Sequence, residues 1–96
     1  MERQLLYVDV RRPDEFITGH IPGALNVNME DEMDFIETMR RLADEHDIVI
    51  YCQSGFRASY AQSLLETKYN IVVTNLDGGI MLYQGPLEVL SVSNEE

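Results

Sequence analysis

The chain has 96 residues, the length of one domain, and its 45 % apolar and 25 % charged residues with only 3 prolines exclude a disordered tail. A chain of this size buries about 60 to 65 % of its unfolded surface, enough for a modest core. Seventeen acidic against seven basic residues give a net charge of −10, the wrong sign for attraction to nucleic-acid phosphates or anionic lipid, so neither is expected as a partner.

The single cysteine, Cys52, cannot form an internal disulfide, and with the distant His20 and His46 it has none of the paired spacings of a zinc site. No metal is expected. The start Met1-Glu2-Arg3 carries charge too early for a signal-peptide core, and no apolar run approaches the roughly 18 residues of a membrane span, so a cytoplasmic setting is expected.

Leu5 to Val10 is an apolar run that turns polar at its carboxyl end, as a buried parallel strand does. Pro13-Asp14-Glu15-Phe16 reads as the first turn of a helix that Gly19 stops. His20 to Ala24 is turn material, and Leu25 to Met29 alternates like a short strand. From Glu30 to His46, Met33, Ile36, Met39, Leu42 and Ala43 recur at helical spacing, so the methionines are assigned to the core, and Arg40 and Arg41 suit the last turns.

Ile48 to Cys52 is β-branched and aromatic without internal polarity, the strongest buried-strand pattern in the chain. A helix from Arg57 to Tyr69 follows, then a strand at Ile71-Val72-Val73, a turn at Leu76-Asp77-Gly78-Gly79 and a short helical segment at Ile80 to Tyr83. The alternation predicts an α/β domain over residues 1–90, a three-layer arrangement with a central parallel sheet of four to five strands and helices on both faces, and a frayed tail at 91–96.

In open parallel sheets ligands bind at the carboxyl ends of the strands, where Asp9-Val10-Arg11, Cys52 to Arg57 and Asp77-Gly78-Gly79 would all lie. A thiol at a strand-to-helix turn meets backbone N–H groups and the positive end of a helix, which stabilise the thiolate. Between Cys52 and Arg57 lie Gln53, Ser54, Gly55 and Phe56, and small residues at the centre let the backbone curl with its N–H groups inward, a nest for one anion. Arg57 can pin that loop or face a ligand.

The segments Asp9-Val10-Arg11-Arg12-Pro13-Asp14-Glu15-Phe16, Gly19-His20-Ile21-Pro22-Gly23-Ala24-Leu25-Asn26, Cys52 to Arg57 and Leu76-Asp77-Gly78-Gly79 occur in that order across nearly the whole chain. In these segments the sequence resembles the rhodanese-homology-domain sulfurtransferases. The resemblance implies a rhodanese-like fold with a six-residue active-site loop. Cys52 is then the catalytic nucleophile, and Gln53, Ser54, Gly55, Phe56 and Arg57 form the substrate cradle. It also implies a sulfane sulfur carried as a persulfide on Cys52, from thiosulfate or a thiol or protein persulfide to cyanide or a thiol, without a cofactor. The partners expected are a small sulfur donor or acceptor or a persulfide-bearing protein.

Two features depart from the family pattern: Tyr83 stands where many members have tryptophan, and the loop carries one formal positive charge. With the −10 net charge, this favours a persulfide over free thiosulfate as donor. The family usually has an extra edge segment ahead of the strand that contains Asp9. Here that edge is expected to be either missing or supplied otherwise, which would suit a domain separated from a larger parent, such as the rhodanese domains tethered to flavin-dependent disulfide reductases.

The remaining polar residues are expected to support the site: Asp9, Arg11 and Glu15 as a charge network in which Glu15 reaches back to Arg11, and Gly78 and Gly79 as a turn beside the loop. His20 and His46 are read as structural. Two rivals stand beside the sulfurtransferase reading. The first is a non-catalytic docking domain of a larger redox or sulfur system. The second is a cysteine-dependent phosphatase, disfavoured because its loop is one residue longer and it needs an acid for the leaving group.

Overall fold

The computed structural model describes residues 3–90, so the tail expected at 91–96 lies outside the described residues. Strand β1 (Gln4–Asp9) and strand β3 (His46–Tyr51) form the sheet's centre, paired in parallel from Gln4 with His46 to Asp9 with Tyr51. Two short strands flank them. Strand β2 (Leu25–Asn26) pairs with Val8 and Asp9, and strand β4 (Thr74–Asn75) pairs with Val49 and Ile50, giving a parallel sheet in the order β2-β1-β3-β4.

The period-two alternation of side chains divides the core between the two faces. Val8, Ile48 and Ile50 point to one side, where they meet helix α2 (Glu32–Glu45) and helix α3 (Phe56–Lys68) through Phe35, Ile36, Met39, Ala61 and Leu65. Tyr7 and Tyr51 point to the other. There they meet helix α1 (Pro13–Thr18), the 20–24 turn and the single turn of helix α4 (Gly79–Leu82) through Phe16, Ile21, Ala24 and Ile80. Helices thus cover both faces, as the sequence predicts.

Two local expectations are corrected. The strand expected at Ile71 to Val73 lies one step later, at Thr74–Asn75. Where α3 ends, the chain turns through a left-handed Asn70, and the Ile71 N–H is tied to the Leu65 carbonyl at 2.9 Å, so the ladder begins only after Val73. Ile71 and Val73 are buried all the same. In α2 the inward stripe contains Phe35, while Met33 is 72 % exposed and not core. Asp31 caps this helix through the Asp34 N–H, and Asp44 and Glu45 occupy its last turn, so Arg40 and Arg41 sit further back.

The segment after α4 returns to α1. His20 and Glu88 exchange two backbone hydrogen bonds of 2.9 and 2.8 Å, and Leu90 N–H donates to the Ile17 carbonyl. His20 is buried, stacked on Phe16 at 3.7 Å, with Nδ1 at 2.8 Å from the Phe16 carbonyl and Nε2 at 3.3 Å from Glu88 Oε1. Its ring holds this turn together. His46 Nδ1 lies 3.2 Å from the Leu42 carbonyl at the end of α2.

Candidate active site

β3 delivers Cys52 to the carboxyl edge of the sheet, and α3 begins four residues later at Phe56. The thiol is 1 % exposed, and its Sγ accepts N–H groups from Gly55 at 3.1 Å and Ala58 at 3.3 Å. Both donors belong to the loop and the first turn of a 13-residue helix, so two orphan N–H groups and the positive end of the helix dipole converge on one sulfur. Such an arrangement offers hydrogen bonds to a negatively charged sulfur bound at this position. Gly55 is left-handed at φ 110°, a conformation an L-residue rarely adopts, and the curl depends on it.

The 76–79 turn clamps the loop from the side. Ile80 N–H donates to the Cys52 carbonyl at 2.9 Å and Met81 N–H to the Gln53 carbonyl at 3.0 Å. At Gly79 a Cβ would stand 2.5 Å from both carbonyl oxygens, and at Gly78 it would run into the Leu82 side chain. Gly79 is what lets the turn approach the loop, and Gly78 leaves room for Leu82.

Arg11 and Arg57 stand at the loop and Arg12 follows Arg11 on the surface, and each faces a carboxylate. Arg11 is buried against Asp9 (Nε to Oδ1 2.9 Å, Nη2 to Oδ2 2.7 Å), and also donates to the Gly19 carbonyl at 2.7 Å and to Gln53 Oε1 at 3.2 Å. Burial disfavours its charge, yet the bonds to Asp9 outweigh this and hold the guanidinium above its usual range. Arg12 faces Asp14 at 3.1 Å. Arg57 forms a two-pronged pair with Glu15, at 2.8 and 3.0 Å, and those bonds pull the Glu15 carboxyl down to about 2.

Glu15 therefore does not reach Arg11, as expected from sequence. α1 starts at Pro13 behind Arg12, so Glu15 accepts the Arg12 N–H at 3.0 Å and turns its carboxylate toward α3. Its partner lies 42 residues away, and the acid near the first turn of α1 was the only signal pointing to it. Below the site, the buried Tyr51 hydroxyl accepts the Ile21 N–H at 3.0 Å, and burial raises its pKa well above the ordinary phenol value.

Of the remaining loop residues, Gln53 and Ser54 are exposed, and Phe56 is 86 % exposed. Ser54, Gly55, Phe56, Ser59, Asn75, Asp77 and Gly78 line a depression of about 290 Å³ beside the loop. Asn75 and Ser59 were not singled out from the sequence; the buried Asn75 Oδ1 has no hydrogen-bond partner among the described residues. A larger cavity of about 700 Å³ lies between Arg3, Leu5, Arg40, Val72 and Thr74, away from Cys52. Among the described residues no cluster of His, Cys, Asp or Glu is placed to hold a metal, and no helix is long and apolar enough to cross a membrane.

A parallel sheet with helices on both faces and a cysteine in an N–H cradle at its carboxyl edge defines the class, and comparison gives it a name. Residues 1–85 match the family model described as a rhodanese-like domain, and the chain belongs to that family. The chain is similar to a tRNA uridine(34) hydroxylase of Chlamydia caviae, 34 % identical over 87 residues, covering 85 % of this chain and 26 % of that protein. The corresponding Chlamydia felis protein is 33 % identical, with 27 % of it covered.

The chain thus spans about a quarter of the length of the curated relatives it matches. Among solved structures, a rhodanese-like domain protein from Staphylococcus aureus aligns with a TM-score of 0.72 at 27 % identity, over 95 % of this chain and 84 % of that one. A rhodanese-related protein from Thermoplasma volcanium shares the fold with a TM-score of 0.73 at 23 % identity, over 86 and 82 %.

Proposed function

We propose that this rhodanese-like domain is a sulfurtransferase in which Cys52 carries a sulfane sulfur as a persulfide. The observation that carries this reading is the pair of N–H groups, from Gly55 and Ala58, on the Cys52 sulfur. The Cys52 thiolate attacks the outer sulfur of thiosulfate, or of a thiol or protein persulfide. A new S–S bond forms, the donor's S–S bond breaks, and its electron pair leaves with sulfite or the donor thiolate.

Attack by cyanide or a thiolate on the outer sulfur then releases Cys52 as thiolate, giving thiocyanate or a persulfide. Sulfite and thiolates leave without protonation, so no general acid is needed. Asp9 and Glu15 are both committed to arginines, and this too speaks against phosphatase chemistry. The sulfur is held covalently, so no cofactor takes part. A reducing cytoplasm keeps the lone thiol available.

Mass spectrometry after exposure to thiosulfate and to a low-molecular-weight persulfide tests this. A mass gain of one sulfur atom on Cys52, absent in Cys52→Ser, is expected. No adduct from any donor would move the assignment to a docking domain. Phosphatase activity that disappears in Cys52→Ser would overturn it in favour of phosphate chemistry.

A second reading is supported by the relatives named tRNA uridine(34) hydroxylases, in which this domain would serve a protein acting on tRNA. With a charge of −10 the chain alone offers little to a phosphate backbone, and other parts of such a protein would have to hold the tRNA. On this reading the isolated chain does not retain tRNA at moderate salt, and retention would refute the charge argument and place the tRNA contact on this domain itself.

A further inference from the structure

The elements that build the site contribute three guanidinium groups, Arg11, Arg12 and Arg57, and each faces its own carboxylate, Asp9, Asp14 and Glu15. Arg57 is the only cation of the Cys52 to Arg57 loop. It directly precedes Ala58, whose N–H reaches the Cys52 sulfur at 3.3 Å, and its two Nη groups each donate to one oxygen of Glu15. Glu15 is held in turn by the Arg12 N–H and by its place in the first turn of α1, so the pair has a fixed anchor outside the loop. An anion arriving at Cys52 is therefore met by backbone N–H groups and by no free side-chain cation of these elements.

We propose that Glu15 is a specificity-determining residue: by occupying both prongs of Arg57 it withholds the loop's cation from the sulfur and selects against free dianionic donors such as thiosulfate. The site is left suited to thiol or protein persulfides, whose charge at the reacting end is lower and which bring binding surface of their own. This rests on the sulfurtransferase reading for its donor class but not for its electrostatics. A dianion approaching within several ångströms of sulfur in a half-screened site feels an unmasked unit charge as an effect of about tenfold or more in rate.

The electrostatics can be read without sulfur transfer. Iodoacetate and iodoacetamide alkylate Cys52 by the same step: an Sγ–C bond forms, the C–I bond breaks and iodide leaves. They differ by one carboxylate charge. In Glu15→Gln the ratio of the iodoacetate to the iodoacetamide rate is expected to rise about tenfold, and thiosulfate loading of Cys52 to rise with it. Asp14→Asn changes the net charge by the same amount without releasing Arg57 and leaves the ratio within twofold. Adding Arg57→Gln to Glu15→Gln abolishes the rise.

Circular dichroism establishes that each variant is folded. Glu15→Asp keeps a carboxylate on α1 but is one methylene short of the two-pronged pair, so a smaller rise is expected and serves where Glu15→Gln does not fold. A folded Glu15→Gln or Glu15→Asp whose alkylation ratio stays within twofold of the parent overturns the proposal, as does an equal rise in Asp14→Asn. A raised ratio with no sulfur adduct from any donor upholds the masking of Arg57 and refutes the sulfurtransferase reading instead.

Discussion

Replacing Gly79 by alanine tests whether the close approach of the 76–79 turn holds the reactive loop in shape. Gly79 sits at φ 64°, where an L-residue costs about 1–2 kcal/mol. Its Cβ would stand 2.5 Å from the Cys52 and Gln53 carbonyl oxygens, so the turn must retreat. Retreat weakens the Ile80-to-Cys52 and Met81-to-Gln53 hydrogen bonds, each worth about 0.5–1.5 kcal/mol.

The sum is about 2–5 kcal/mol, a large part of the roughly 5–15 kcal/mol that holds a domain together. Gly23 is the control. It is also left-handed, at φ 83°, but a Cβ there meets nothing within 4 Å, so Gly23→Ala costs only the backbone term of about 1–2 kcal/mol. Urea denaturation of both variants measures the difference, and thiol reactivity of Cys52 reports whether the cradle has moved. Equal destabilisation of the two variants, with unchanged Cys52 reactivity, would refute the clamp.

Three further outcomes are expected. Because the Glu15 carboxyl is lowered from 4.5 to about 2 in the folded state, its contribution is fully present above pH ~5 and is lost as pH falls through about 2. Screening at this partly exposed pair leaves about 1–2 kcal/mol, and Glu15→Gln should flatten the unfolding free energy between pH 5 and 2 by that amount in urea denaturation. Asp9→Ala leaves the Arg11 guanidinium buried without its partner and should cost about 3–5 kcal/mol in chemical denaturation, against a smaller loss for a paired apolar replacement of both. Phe35→Ala should cost about 3–5 kcal/mol while Met33→Ala stays within about 0.5 kcal/mol, a contrast that calorimetry resolves.

Much of the architecture was legible because local pattern and tertiary role coincide. The uninterrupted apolar run at Ile48 to Tyr51 became the central strand, since only a strand buried on both faces tolerates it. Pro13 and Gly19 bound α1 as their backbone preferences dictate. The failures share one cause. Ile71 and Val73 carry a strand pattern but are buried before the ladder begins, because the end of α3 dictates where the chain can pair with Val49. Met33 fits a helical period but falls just beyond the stripe that meets the sheet, and Phe35 takes the inward place.

The sequence by itself determined the alternation of strands and helices, the placement of Cys52 at a strand-to-helix turn, and the glycines that such a turn demands. These depend on spacing, apolarity and backbone freedom within a few residues. Only the tertiary structure decided which charges meet. Glu15 lies four positions after Arg11, which made that pair the natural expectation; yet Arg11 turns inward to Asp9, and Glu15 crosses 42 positions of sequence to Arg57. Ion pairs between elements are set by how helices pack against the sheet, which no local period records. The electrostatic character of the Cys52 loop was therefore settled by α1.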